Sequence, residues 1–149
     1  MLGIILSAIK IIFLLGFLIF IHEGGHFITA KLCNIKVNQF AIGFGPEIIS
    51  KEKGETKYAL RAIPLGGFVS MEGEEESSSD ERAFNKASIL KRILIVIAGA
   101  MVNIIFGLIV YFLLAIIISG KFDAACKATW GFSEALVESV KMLFTGQVG

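Results

Sequence analysis

From residue 93 to residue 118 the chain runs for 26 residues without a charged side chain. As a helix this stretch rises about 39 Å, more than the roughly 30 Å of a bilayer's hydrocarbon core, so it can span with tilt. A second apolar run, residues 2–21, is interrupted only by Gly3, Ser7, Lys10 and Gly16. A soluble fold would have to hide both of these runs, of 20 and 26 residues, in one core. The 55% of hydrophobic residues and the mean hydropathy of +0.77 also exceed the globular norm. The expected fold class is therefore an α-helical membrane protein. It comprises two transmembrane helices, a small cytoplasmic or membrane-associated β-hairpin and loop region, and a C-terminal amphipathic or partial third helix. The first helix reads as retained rather than as a signal peptide: no basic segment precedes it, it is long for an h-region, and no small-x-small cleavage site follows.

Polar residues concentrate between the two runs. Residues 40–46 and 57–63 alternate like strands, and Lys51-Glu52-Lys53-Gly54-Glu55 between them is a charged turn. Pro64-Leu65-Gly66-Gly67-Phe68-Val69 follows, a segment that either turns tightly or leaves backbone groups open to pair with an extended peptide. Residues 72–82, acidic and serine-rich, read as a solvated loop. Beyond Gly120, Phe132, Leu136, Val140 and Leu143 share one helical face, opposite Glu134, Glu138, Lys141 and Thr145. The expected organisation is one membrane domain over residues 1–149, with a helix at 2–33, a β-loop region at 36–71, an acidic loop at 72–82, a helix at 89–119 and an amphipathic helix at 128–145. Ten of the 14 Lys and Arg residues lie within 31–92. By the positive-inside rule this puts residues 34–92 on the cytoplasmic side of a multi-pass protein of the inner (cytoplasmic) membrane. The bilayer is thus an expected partner, whereas a net charge of +1 without a basic stripe gives no case for nucleic acid. Cys33 and Cys126 lack C-x-x-C spacing and read as idle thiols.

His22-Glu23-Gly24-Gly25-His26 closes the first run, and its histidines are the only two in the chain. At i and i+4 of a helix they share a face and can bind one Zn²⁺, with Glu23 as general base. Ionisable groups at membrane depth are expensive and usually functional, which supports the metal reading. A catalytic zinc takes three protein ligands and leaves a fourth position for water, so the pattern points to peptide hydrolysis. A third ligand is not evident: Cys33 lies two turns past His26, and Asp80 and Asp123 have no motif around them. In the second run Asn103 is the only strongly polar side chain, among the small residues Gly99, Ala100 and Gly107. It either joins two helices or reaches the active site or substrate.

HEGGH at 22–26, Phe40 with Gly43-Phe44-Gly45-Pro46, PLGGFV at 64–69 and AGAMVN at 98–103 together resemble the bacterial RIP-type zinc metalloproteases, relatives of the site-2 protease. The resemblance runs from the first residue to about 119 and resumes weakly from 127 to 149. It implies an intramembrane zinc metalloendopeptidase that performs regulated intramembrane proteolysis on transmembrane protein substrates. His22 and His26 would bind zinc, and Glu23 would be the catalytic base. Gly66, Gly67 and Phe68 would belong to a β element that positions an extended substrate, with Asn103 near the active site. Ala100 replaces the usual proline of its motif. The family's PDZ domain has no room between 120 and 127, and its third ligand, an aspartate of an Asp-Gly pair on a later helix, has no match. The chain is therefore expected to be a shortened member, with a C-terminal helix outside it supplying the aspartate. The alternative is a non-catalytic membrane binding or regulatory fragment that lacks the third ligand.

Overall fold

A computed structural model describes residues 1–146 and divides them into two units, residues 1–103 and residues from 104 on. The elements are helix α1 (Leu2–Leu32), strands β1 (Val37–Lys53) and β2 (Thr56–Met71) of one antiparallel sheet, and helices α2 (Ile89–Ser119) and α3 (Phe122–Thr145). Helix α2 runs from the first unit into the second. Both α1 and α2 are 31 residues long and, by length and composition, apolar enough to cross a membrane.

In the first unit α1 stops where the chain demands it. Asn34 takes the left-handed conformation at φ 61°, one of the few non-glycine residue types that does so readily. The Asn34 N–H then donates to the Lys31 carbonyl at 3.0 Å and the Ile35 N–H to the Ala30 carbonyl at 2.9 Å. This is a Schellman ending, and the apolar contact that accompanies it is present: Ala30 and Ile35 both belong to the buried cluster with Val37, Met71 and Ile95. The cluster thus joins the end of α1, the start of β1, the end of β2 and the first turns of α2.

The sheet is longer and more bent than the sequence suggests. The expected strands end at Gly45-Pro46 and before Pro64, yet β1 continues to Lys53 and β2 to Met71. Glycines make this possible: Gly43, Gly45 and Gly66 adopt φ of 86°, 81° and 117°, so each strand bends without terminating. As a result residues 39–42 have neighbours on both sides. On one side Gln39 to Ile42 pair antiparallel with Ser70 to Gly67; on the other they pair with Lys57 to Leu60, where both numbers rise together. Residues 49–53 form a third pairing, with 56–60, closed by the two-residue turn Gly54-Glu55. Among the described residues, 67–71 pair in the sheet only with the start of β1, leaving their other side as a sheet edge.

That turn is tied to the rest of the unit by charge. The Glu55 carboxylate accepts from Lys31 Nζ at 2.7 Å and from Arg82, and these partners hold its carboxyl down at about 2. Next to it Thr56 is buried and its hydroxyl donates to the Val37 carbonyl at 2.7 Å. Since the folded-state value lies below the ordinary 4.5, the network stabilises fully above about pH 4.5 and fades as the pH falls toward about 2. Glu55→Gln should lower the melting temperature at neutral pH, with the gap from wild type closing near pH 2. A gap independent of pH would contradict this assignment.

In the second unit α3 begins at Phe122, well before the expected start near residue 128, with Gly120 at φ 64° turning the chain into it. The Tyr111 ring of α2 stacks on Phe132 at 4.6 Å, and Phe112 meets Phe122 edge-on at 5.6 Å. The hydroxyls of Ser119, Thr129, Ser133, Ser139 and Thr145 each donate to the carbonyl four residues back, which satisfies them within their own helices.

Candidate active site

Helical spacing places His22 and His26 on one face of α1, with ring centroids 4.8 Å apart. The opposing wall is α2, and the approach is backbone to backbone. A Cβ added to Gly25 would stand 2.8 Å from the Ala98 carbonyl oxygen and 3.0 Å from the Gly99 Cα. A Cβ on Gly99 would in turn meet His22 Nε2 at 2.7 Å and His26 Nε2 still closer. The two Nε2 atoms therefore converge over Gly99, a residue of α2 that has no side chain. Gly24 has open space beside it, so of the two glycines of the motif only Gly25 is required by the helix crossing.

Hydrogen bonds orient the rings. His26 Nδ1 lies 2.7 Å from the Ile95 carbonyl oxygen, which can only accept, so Nδ1 carries the proton and Nε2 presents a lone pair. His22 Nδ1 lies 3.4 Å from Asn103 Nδ2. Ile95, Gly99 and Asn103 are spaced four apart and make a stripe on α2 that matches the four-residue spacing of the histidines on α1. That i, i+4, i+8 pattern was available in the sequence around AGAMVN. Only the contact between the two helices shows what the stripe faces.

Glu23 sits on the sheet side. The Val69 backbone is within hydrogen-bonding reach of its carboxyl group, and a Cβ on Gly67 would lie 3.5 Å from its Cγ. A cleft of about 220 Å³ opens here, lined by Glu23, His26, Val69, Met71, Glu74 and Phe84 among others. The edge segment 67–71 thus runs along the cleft. Farther out, a Cβ on Gly16 would stand 2.9 Å from the Pro64 carbonyl oxygen, so β2 follows α1 from Gly16 to Glu23, about 10 Å of helix. Gly66, at positive φ, is packed by the Phe44 ring where a side chain would stand. Phe68 lies beneath the Arg61 guanidinium at 5.1 Å.

The structure brings His22, Glu23, His26, Gly67 and Asn103 together and leaves Gly66 and Phe68 supporting the β segment. Sequence reasoning missed Glu74, Val69 and the Ile95 carbonyl. Among the described residues no group of three His, Cys, Asp or Glu side chains could hold a metal ion. Cys33 packs against the buried cluster, Asp80 is held by Lys36 at 3.1 Å, and Asp123 lies in the first turn of α3. The donor set still fits zinc as far as it goes. One imidazole nitrogen with a fixed lone pair and a second beside it converge on a site that any side chain at Gly99 would fill.

The chain is 49% identical over 96 residues to a protein of Clostridium acetobutylicum, covering 64% of this chain and 28% of that one. It is 50% identical over 98 residues to one of Clostridium perfringens, covering 66% and 29%. A protein of Fusobacterium nucleatum is 40% identical over 118 residues, covering 79% and 34%. All three are provisionally named zinc metalloproteases, and the chain spans about a third or less of their length. Residues 10–149 match the profile of peptidase family M50, a stretch that includes the histidine pair, the sheet and the facing stripe of α2. The chain belongs to peptidase family M50.

Proposed function

We propose that this chain carries the zinc-binding half-site, catalytic base and substrate-docking strand of an intramembrane zinc metalloendopeptidase acting on transmembrane protein substrates. The observation that carries it is the convergence of His22 Nε2 and His26 Nε2 over Gly99, with Glu23 turned toward an open sheet edge. Zinc, when bound, supplies a Lewis acid that polarises the scissile carbonyl and makes water nucleophilic near neutral pH. His22 and His26 hold it, and the Ile95 carbonyl keeps His26 in the binding tautomer. Glu23 takes the proton from the attacking water and delivers it to the leaving amine. Residues 67–71 pair with an extended substrate along their outer edge, where it takes the places held by Glu23 at the Val69 backbone and by Glu74 at the Met71 N–H, and lay it along the cleft. A substrate span must unwind to bind there, since a helix has no free backbone groups to pair.

Membrane placement is supported by Leu2, Ile4, Phe13 and Leu14, all more than half exposed on different faces of α1, as lipid contact would require. Phe44, Ile63 and Leu65, exposed near the bends of the sheet, extend that apolar surface. Residues 34–92 then lie on the cytoplasmic side of a multi-pass protein of the inner membrane, by their Lys and Arg content. The two-donor set favours a second reading, in which this chain binds membrane partners without cleaving them. Under the first reading a carboxylate from a further helix supplies the third ligand. Reconstitution in liposomes with zinc, a single-span substrate and a further helix bearing an Asp-Gly pair, joined to the chain or supplied beside it, separates the two readings. Cleavage within the span that is lost in Glu23→Gln supports the protease, and zinc-loaded protein that cleaves nothing supports the binding fragment.

A further inference from the structure

We propose that Asn103 is the orienting partner of His22, with its amide oxygen accepting the His22 Nδ1 proton so that Nε2 presents a lone pair beside that of His26. Three observations carry this. Asn103 Nδ2 lies 3.4 Å from His22 Nδ1, a long separation. Asn103 Oδ1 is buried and has no hydrogen-bond partner. The Nε2 atoms of the two histidines converge over Gly99.

With the amide nitrogen toward His22, Nδ1 would have to accept, and the neutral ring would carry its proton on Nε2, where the metal must bind. A half-turn of the amide about its terminal torsion exchanges oxygen and nitrogen with almost no movement of the side chain. The oxygen then accepts from Nδ1–H, the buried acceptor gains its partner, and both Nε2 atoms present lone pairs to the same point. Ile95 and Asn103, four residues either side of Gly99, thus perform one task for two histidines: a backbone carbonyl fixes His26 and a side-chain carbonyl fixes His22. The Asn103 amide nitrogen then takes the buried position that the oxygen held, so the half-turn is favoured by the His22 tautomer and not by the number of partnered amide atoms. Asn103 is a positioning residue, acting through His22.

This inference rests on the reading of His22 and His26 as zinc ligands, and the test keeps the two apart. Because the chain has only two histidines, ¹⁵N-histidine labelling of the 149-residue protein in detergent micelles gives two rings to follow, with His22 assigned from the spectrum of His26→Gln. Without metal, wild type should show His22 protonated on Nδ1, Asn103→Leu should shift it toward Nε2, and Asn103→Asp should keep it on Nδ1. Zinc affinity, read by competition with a chromophoric chelator, should fall about 10- to 100-fold in Asn103→Leu and stay at or above wild type in Asn103→Asp. Circular dichroism confirms that each variant keeps its helices. An Nε2-protonated His22 in wild type, or unchanged zinc affinity in Asn103→Leu, would overturn the orienting role alone. Zinc affinity that His26→Gln leaves unchanged would overturn the metal reading and the orienting role with it.

Discussion

Replacing Glu23 by Gln is expected to lower kcat by about 10²- to 10⁴-fold, roughly 3 to 5 kcal/mol of transition-state stabilisation, while zinc content and fold are retained. Glutamine has nearly the same shape, and its amide oxygen can keep the bond from the Val69 backbone and the packing against Gly67. It cannot accept a proton from water, so only the chemical step is lost. KM for a transmembrane substrate should change little, because docking uses the backbone of residues 67–71 rather than the Glu23 side chain. Rates in liposomes and zinc content by mass spectrometry check both halves. Normal cleavage by Glu23→Gln would remove this residue from the mechanism.

The second large effect is expected at Gly99. Alanine there adds one methyl group, yet it would meet His22 Nε2 at 2.7 Å and His26 Nε2 closer still, on the spot where the two lone pairs converge. The rings cannot swing freely aside, since His26 is held by the Ile95 carbonyl at 2.7 Å. Zinc affinity should therefore fall by about 100-fold or more, beyond the 10- to 100-fold expected for loss of an orienting partner. Gly107→Ala provides the comparison: it lies on the same helix with nothing within 4 Å of the added carbon. That change should leave zinc affinity unaltered and favour the helix slightly. Equal affinity of Gly99→Ala and Gly107→Ala would mean that the metal does not sit against α2.

How much of this could be read from the sequence differs by element. The zinc-binding pair follows from helix geometry alone, because residues four apart on α1 must share a face whatever surrounds them. The length and apolarity of α1 and α2 are equally local properties. The sheet was only half legible. Pro46 and Pro64 look like strand ends, and the strands pass them because positive-φ glycines let the backbone bend and repair with a new neighbour. Glu74 and the Val69 backbone were invisible as site groups, because one lies in a segment that reads as a solvated loop and the other contributes no side-chain chemistry. The Ile95, Gly99 and Asn103 stripe had a visible period, but its facing partner is a matter of tertiary packing. What brings it to the histidines is the contact of Gly25 with Gly99.

The central claim is that His22 and His26 bind one zinc ion together. X-ray absorption at the zinc edge of the zinc-loaded, purified 149-residue chain tests it most directly. Two imidazole nitrogens at about 2.0–2.1 Å, reduced to one in His22→Ala and in His26→Ala, is the predicted result. A sulfur shell at about 2.3 Å, or a nitrogen shell that neither histidine substitution alters, would contradict it.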